Sequence, residues 1–134
     1  AYDHVIVDLG AGIDRAVRQM AAPAAVTHVI VTDEPTSLTD AYAFIKLTYA
    51  ANPKADIRVV VNLAPTIGEG QRIYQTIAKA CETFLRIVPP LAGIIRRDSK
   101  VRDAIRAQTP LLTRSPLTEA AQDVESIVNG LFKG

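Results

Sequence analysis

Four short runs rich in valine and isoleucine, separated by segments with helical spacing, restrict the fold of this chain more than any other feature. We predict strands at residues 5–8, 28–32, 57–62 and 91–95. Each run is nearly continuous in apolar residues, which is typical of strands covered by helices on both faces. Strands that alternate with helices are expected to run parallel. The sequence therefore predicts an α/β fold, a mostly parallel sheet of about four strands flanked by helices.

Helix start signals follow several of these strands. Thr66 is followed three residues later by Glu69, the capping-box pattern, and Asp98 is a predicted N-cap. Ser115 is predicted to cap the last helix, with Pro116 at its first position. Apolar residues at helical spacing predict two earlier helices, near residues 13–20 and 38–49. The third predicted helix carries Ile73, Ile77 and Phe84 on its apolar face. The last has an apolar stripe from Leu117 to Leu131.

The composition is that of an ordinary globular protein. The length of 134 residues fits one domain, which we assign to residues 1–134. A net charge of +1 gives no overall field for nucleic acid or an anionic membrane. The single Cys81 excludes an internal disulfide and fits a reducing compartment, so we expect a cytoplasmic protein. Because the sequence begins inside a predicted strand, we expect it to be a piece of a longer protein.

A candidate phosphate site follows the first predicted strand. Asp8 ends the apolar run, and Gly10 and Gly12 come directly after it. A carboxylate at a sheet edge can hold a metal-bound water, and glycines let the backbone approach a phosphate closely. These residues match the Walker B half of a phosphate-handling site, whereas the complementary G-x-x-x-x-G-K-[ST] loop does not occur in the sequence.

The carboxyl ends of the other predicted strands also carry polar or turn-forming residues, at 32–37, 62–65 and 95–98. In open α/β sheets, ligands bind beyond this edge. Strands must also end in polar turns for structural reasons alone. Residue types by themselves leave a ligand site and ordinary turns equally open.

An ordered set of motifs resembles the C-terminal half of the MinD/ParA-type ATPases, and within them the flagellar-number regulators of the FlhG/FleN branch. The resemblance covers essentially the whole chain. It rests on Asp8-Leu-Gly-Ala-Gly-Ile, the Thr-Asp-Glu-Pro-Thr-Ser-Leu-Thr-Asp-Ala-Tyr run that begins at Thr32, Glu69-Gly70 with Tyr74, Val61-Asn62, and Val101-Arg-Asp-Ala with Thr109-Pro110.

The resemblance implies an ATP and Mg²⁺ site in the intact protein. Asp8 would hold the magnesium through a water molecule, and Gly10 and Gly12 would form the second switch, which senses the γ-phosphate. Asn62 would read the adenine edge, since an amide offers a donor and an acceptor together. The backbone of Ile95, Arg96 and Arg97 would flank the base, although relatives usually have proline where Arg96 stands.

The resemblance also implies partners. Glu34 and Asp40 match acidic positions on the face through which relatives form nucleotide-dependent dimers, so a homodimer is expected. In the resembled fold the Walker A strand lies between strands 5–8 and 28–32. We therefore expect the sheet either to close across this gap or to borrow a strand from another chain. A protein partner on the same scaffold is the further expectation.

The charges predict contact with neither nucleic acid nor membrane. The basic residues Arg96, Arg97, Lys100, Arg102 and Arg106 are interpreted as an exposed helix face. The last helix has acidic residues on its polar side, with Lys133 at its end, so it is expected to pack on the sheet. Peripheral contact of the parent protein with the inner membrane face would need a helix beyond residue 134.

Two functions follow from the sequence. The first is a fragment of a MinD/ParA-type ATPase that regulates flagellar number, flagellar placement or cellular positioning through ATP-dependent dimerisation. This chain alone is not expected to hydrolyse ATP, because the Walker A lysine belongs to the other half. The alternative is a non-catalytic protein-interaction module. A phospho-receiver is disfavoured because Asn62 stands where an aspartate is needed, and a dinucleotide-binding domain because Arg15 replaces the third glycine.

Overall fold

The computed structural model describes residues 1–132, and its centre is a parallel three-stranded sheet in the order β1-β2-β3. β1 comprises Thr27–Val31, β2 Ile57–Ala64 and β3 Leu91–Arg96. The predicted α/β class and parallel direction are confirmed. The sheet has three strands where about four were predicted.

Helices follow each strand within residues 1–132. Their bounds are α1 Arg15–Ala21, α2 Pro35–Ala51, α3 Ile67–Leu85, α4 Ser99–Arg106, α5 Leu111–Arg114 and α6 Glu119–Phe132. Successive residues of β3 show how two of them are placed, because side chains alternate between the two faces of a strand. Ile94 faces α3 at Gly70, and Gly93 faces α6 at Ile127. The two helices therefore cover opposite faces of the sheet, as predicted for the last helix.

The predicted strand at residues 5–8 is wrong. These residues form no strand and are exposed, with Ile6 at 93%. A strand needs a neighbour to satisfy its backbone N–H and C=O groups. β1 pairs with β2 along one side, and no strand of the described residues pairs along its other side. The expectation that the sheet closes across the gap is therefore also wrong. Strand borrowing involves a second chain and stays a prediction.

The core lies between the sheet and helices α2 and α3. Fully buried side chains come from β1, β2 and both helices, among them Val31, Val59, Val61, Ile45, Ile77 and Cys81, and Ile94 of β3 adds a side chain that is 8% exposed. Each such aliphatic side chain contributes about 1.5–3 kcal/mol relative to an exposed one. Burial raises the pKa of the Cys81 thiol, which fits the predicted structural cysteine. Phe84, predicted on the apolar face of α3, is instead 73% exposed and contacts Tyr42 edge to face.

Side chains cap two of the helices as the sequence predicts. The Thr66 hydroxyl accepts a hydrogen bond from the Glu69 N–H at 3.1 Å. The Asp98 carboxylate accepts one from the Lys100 N–H at 2.9 Å at the start of α4. Its second oxygen also accepts the Ala120 N–H of α6 at 3.2 Å, so one side chain caps two helices. These backbone donors lower the pKa of Asp98, that of Lys100 first.

The predicted start of the last helix, at Pro116, is wrong by three residues. The Ser115 carbonyl accepts the Thr118 N–H at 3.3 Å and closes a turn, so α6 begins only at Glu119. Leu117, predicted on the apolar stripe, is 86% exposed in that turn. The helix starts where Asp98 provides a cap, a tertiary contact that the local sequence does not indicate. No helix of the described residues is long and apolar enough to span a membrane.

Gly70 allows α3 to approach the sheet. A Cβ at this position would collide with the Ile94 side chain and lie 3.2 Å from the Ala64 Cβ. We expect Gly70→Ala to lower the free energy of unfolding by about 1–2 kcal/mol, since overpacking outweighs the gain in helix propensity. Gly68→Ala is the matched control in the same helix, because its Cβ meets nothing closer than 3.9 Å. Denaturant unfolding measures both, and equal stability of the two variants would contradict the close packing.

The double cap at Asp98 gives a second expectation. Asp98→Ala should lower the free energy of unfolding by about 1–2 kcal/mol, and Asp98→Asn by less, because one amide oxygen can still accept. Asp14→Ala is the control, since Asp14 occupies the N-cap position of α1 without a side-chain cap bond. Loss of stability in all three variants alike would contradict the cap.

The cap should also depend on pH. A carboxylate with a lowered pKa in the folded state stabilises the fold above its unfolded pKa of about 3.9, and this contribution is lost as the pH falls through the lower, folded value. Unfolding of the wild type and of Asp98→Asn, measured at several pH values, should therefore converge in acid and diverge above about pH 4. A constant difference across that range would show that the charge of Asp98 does not contribute.

Candidate functional site

The carboxyl ends of β1, β2 and β3 meet at one edge of the sheet, because the three strands are parallel. β2 ends irregularly there: Leu63 has φ of 57°, and the register with β3 shifts between Val61 and Ala64. The Arg97 N–H then donates to the Ala64 carbonyl at 2.8 Å. The irregular end of β2 and the segment after β3 are thus held against each other.

This edge brings Asn62 together with the segment Ile95, Arg96 and Arg97. Asn62 lies in β2, half-buried, one strand away from that segment. Its side-chain amide makes no hydrogen bond to any residue of the described chain, 1–132. A donor and an acceptor are therefore both open to a ligand at this position.

Arg96 binds to α6 through both its backbone and its side chain. Its backbone N–H and its Nε both donate to Asp123 Oδ2, at 2.9 and 3.0 Å, and its Nη2 donates to Asp123 Oδ1 at 3.0 Å. Nη1 lies 3.4 Å from Glu119 Oε1. The bond to Asp123 raises the pKa of Arg96. The guanidinium joins β3 to α6 and is not a free cation. The interpretation of Arg96 as part of an exposed basic face is therefore wrong.

The sequence offered only a weak signal for this tie. Glu119 and Asp123 were identifiable as acidic residues on the polar side of the last helix. Their partner lies 27 residues from Asp123 in the chain, a separation that local patterns do not reveal. The same bonds restrain the backbone at Arg96 through side-chain contacts.

Glu34 and Asp40 lie beyond the end of β1. Glu34 is the N-cap residue of α2 but makes no side-chain cap bond, and both carboxylates are exposed. The neighbouring turn is ordered by the Thr32 N–H, which donates to Ser37 Oγ at 3.0 Å. The structure therefore leaves both acidic side chains free to meet a partner, and their role at a dimer face stays a prediction.

Asp8, Gly10 and Gly12 are not part of the sheet edge. They lie in the irregular segment before α1, where Asp8 and Gly10 are exposed and Gly12 is half-buried. Gly12 has φ of 132°, a conformation that other residues rarely adopt, and an added Cβ at either glycine would meet nothing within 4 Å. Leu9, between Asp8 and Gly10, packs against the core.

The residues of this chain fit magnesium only in part. Within residues 1–132, no group of three or more His, Cys, Asp or Glu side chains lies close enough to hold a metal ion. Asp8 could contribute one carboxylate, which suits Mg²⁺ where waters and substrate phosphates provide the remaining ligands. This part of the chain therefore does not form a metal site from protein ligands alone.

Two cavities in the described residues lie away from this edge. A groove of about 710 Å³ runs along α3 between Arg72, Tyr74 and Leu91. A second cavity, of about 390 Å³, lies under the end of α6 and is lined by His28, Arg58 and neighbours. Burial, and next the charge of Arg58, lower the pKa of His28. None of the predicted site residues lines either cavity, so the candidate site is an open edge.

The chain is similar in sequence to two flagellar proteins, whereas no family model matches it. It is 34% identical over 119 residues to the antiactivator FleN of Pseudomonas aeruginosa, covering 89% of this chain and 42% of FleN. It is 24% identical over 126 residues to the flagellum site-determining protein YlxH of Helicobacter pylori, covering 93% of this chain and 42% of YlxH. The chain thus spans about two fifths of the length of these relatives.

Solved structures of MinD proteins share the fold. The MinD cell division protein of Aquifex aeolicus superposes with a TM-score of 0.74 at 21% identity, over 99% of this chain and 54% of that one. The cell division ATPase MinD of Pyrococcus furiosus gives 0.77 at 15% identity, over 98% and 52%. The septum site-determining protein MinD of Pyrococcus horikoshii, in complex with Mg-ADP, gives 0.71 at 16% identity, over 94% and 49%. In sequence the chain is therefore similar to part of the flagellar proteins FleN and YlxH, and in fold it is similar to part of the MinD structures.

Proposed function

We propose that this chain contributes the residues that contact the adenine base, and the face that forms the dimer, to the ATPase module of a MinD/ParA-type regulator of flagellar number or placement. The observation that carries the proposal is the open amide of Asn62 beside the held backbone of residues 95–97. The sequence similarity to FleN and YlxH supports the flagellar role. The fold shared with a MinD protein bound to Mg-ADP supports a nucleotide.

The proposed chemistry is divided between this chain and other residues of the intact protein. Asn62 would hydrogen-bond the edge of adenine, and the backbone at Ile95–Arg97 would flank the ring. Asp8 would hold a water on Mg²⁺, which neutralises phosphate charge when bound, and Gly10 and Gly12 would let the backbone approach the phosphates. Hydrolysis would need a phosphate-binding loop from outside this sequence, because phosphoryl transfer depends on positioning and charge stabilisation.

The proposal includes a nucleotide-dependent homodimer with Glu34 and Asp40 on the shared face. Both side chains are exposed, and Glu34 lies at the same sheet edge as Asn62. The unpaired side of β1 is a second surface for association, because a strand from another polypeptide could satisfy its backbone groups. We place the protein in the cytoplasm, where the buried thiol of Cys81 would stay reduced.

A non-catalytic interaction module is the second candidate. It is favoured by one observation: Asp8 lies in an exposed segment outside the sheet, so the phosphate side of the site is not assembled by this chain. In that case Glu34, Asp40 and the edge of β1 would bind a protein partner without nucleotide.

Calorimetry with Mg-ATP separates the two candidates. The chain is titrated alone and again after mixing with a polypeptide that carries the G-x-x-x-x-G-K-[ST] loop of the parent protein. We expect binding only in the mixture, and Asn62→Ala should weaken it at least tenfold, about 1.4 kcal/mol, by removing the amide hydrogen bonds. Asp8→Ala should abolish the Mg²⁺-dependent part.

Two exposed residues provide the controls for these variants. Asn129→Ala removes an amide from the exposed side of α6, and Asp3→Ala removes a carboxylate from the same N-terminal segment as Asp8. Both should bind Mg-ATP like the wild type. Absence of binding in the mixture would reject the ATPase proposal and leave the interaction module.

A further inference from the structure

The carboxyl end of β3 and the residues directly after it, 95–98, are joined to helix α6 at two points. Arg96 bonds to Asp123 through its backbone and its guanidinium, and Asp98 accepts the Ala120 N–H. Ala120 and Asp123 are three residues apart and therefore lie on one face of α6. Ile127, four residues further along that face, packs over Gly93 of β3. The face of α6 that covers β3 thus begins with polar contacts to the segment and continues with apolar ones.

The Arg96 N–H needs this partner. The Arg97 N–H points to β2, where the Ala64 carbonyl accepts it. Successive N–H groups of a strand point to opposite sides, so the Arg96 N–H points away from β2, to the side where no strand of the described residues pairs with β3. Asp123 takes the place of a neighbouring strand. The backbone conformation of the segment, and not only the arginine side chain, therefore depends on α6.

The pair is also sheltered from solvent. The Asp123 side chain is 11% exposed and the Arg96 side chain 25%. A bidentate arginine–carboxylate pair with fixed geometry is stronger and more directional than an exposed ion pair, and partial burial reduces its screening by salt. Glu119 adds a second carboxylate at 3.4 Å from the guanidinium.

The other end of α6 reaches the N-terminal segment. The ring of Phe132, the last described residue, lies 4.5 Å from the ring of His4, measured between centroids. His4 precedes Asp8 by four residues. One helix therefore contacts the segment beside Asn62 at its start and the segment that carries Asp8 at its end.

We propose that Arg96 and Asp123 are positioning residues that form a latch between the carboxyl end of β3 and α6, so that a purine nucleotide held against residues 95–97 and the packing of α6 on the sheet affect each other. The latch itself follows from the contacts within the chain; its nucleotide side rests on the proposed function. A ligand that shifts the backbone of Arg96 must move Asp123 or break its bonds. Conversely, displacement of α6 releases the backbone against which the base would lie.

Amide hydrogen exchange of this chain, measured by NMR without nucleotide, tests the latch. Asp123→Asn leaves one neutral oxygen for the three Arg96 donors that the carboxylate accepts. We therefore expect the Arg96 and Ala120 amides to exchange at least tenfold faster in this variant, while amides of β2 such as Val60 keep their rates. Glu125→Gln is the matched control, because it removes one acidic charge from an exposed position of the same helix. Unchanged exchange at Arg96 in Asp123→Asn would overturn the latch.

Arg96→Lys provides a milder variant should Asp123→Asn unfold. It keeps the charge and the backbone N–H but loses the bidentate fork. The Ala120 amide should then exchange faster than in the wild type while the amide of residue 96 keeps part of its protection. Wild-type exchange at both amides would overturn the role of the guanidinium.

Titration with millimolar Mg-ADP tests the coupling; it is carried out after mixing this chain with the polypeptide that carries the G-x-x-x-x-G-K-[ST] loop and is read from the amide chemical shifts of this chain. In the wild type and in Glu125→Gln, shifts at residues 95–97 should be accompanied by shifts at residues 119–123; in Asp123→Asn they should stay confined to residues 95–97. Shifts that reach α6 equally in Asp123→Asn would overturn the coupling. Absence of shifts at residues 95–97 in every variant would instead reject the proposed nucleotide site, and the nucleotide side of this proposal with it, while the exchange data still decide the latch.

Discussion

β2 is the strand on which the rest of the described structure depends, because within residues 1–132 it alone has hydrogen-bonded neighbours on both sides. Its register fixes β1 and β3, and its side chains are buried on both faces. Helices α2 and α3 bury their apolar residues against the sheet that β2 organises. Strands that pair with β2 and helices that pack on the sheet are ordered by it. A segment that neither pairs with the sheet nor packs on it has few contacts that fix its conformation.

This constraint divides the candidate site into two unequal parts. On the base side, Asn62 belongs to β2 and residues 95–97 lie at the carboxyl end of β3, so both are positioned by sheet hydrogen bonds and by α6. On the phosphate side, Asp8 and its glycines precede α1 and have no strand to join. Backbone groups of an isolated strand can be satisfied only by water, which gives no fixed geometry. A further strand alongside β1 would be a source of backbone hydrogen bonds, and the segment that carries Asp8 could then acquire a fixed geometry.

The sequence predicted the repeating local features well. The capping box at Thr66 was correct because its donor and acceptor are three residues apart, and the cap at Asp98 was correct for α4 because its donor is only two residues away. The apolar runs of β1, β2 and β3 were identified because each is buried. The run at residues 5–8 has the same composition but no partner strand among residues 1–132, so composition alone misjudged it. The start of α6 was misplaced because its cap comes from a residue 22 positions away.

The sequence by itself determined the α/β class, the parallel direction of the strands and the family to which the chain is similar, because these depend on periodicity and on ordered motifs that can be read locally. The tertiary structure decided that Asp98 caps two helices, that Arg96 is bound by Asp123 rather than exposed, and that Asp8 lies outside the sheet. Each of these depends on which distant groups meet, and a hydrogen bond or a strand pairing exists only when both partners are brought together by packing.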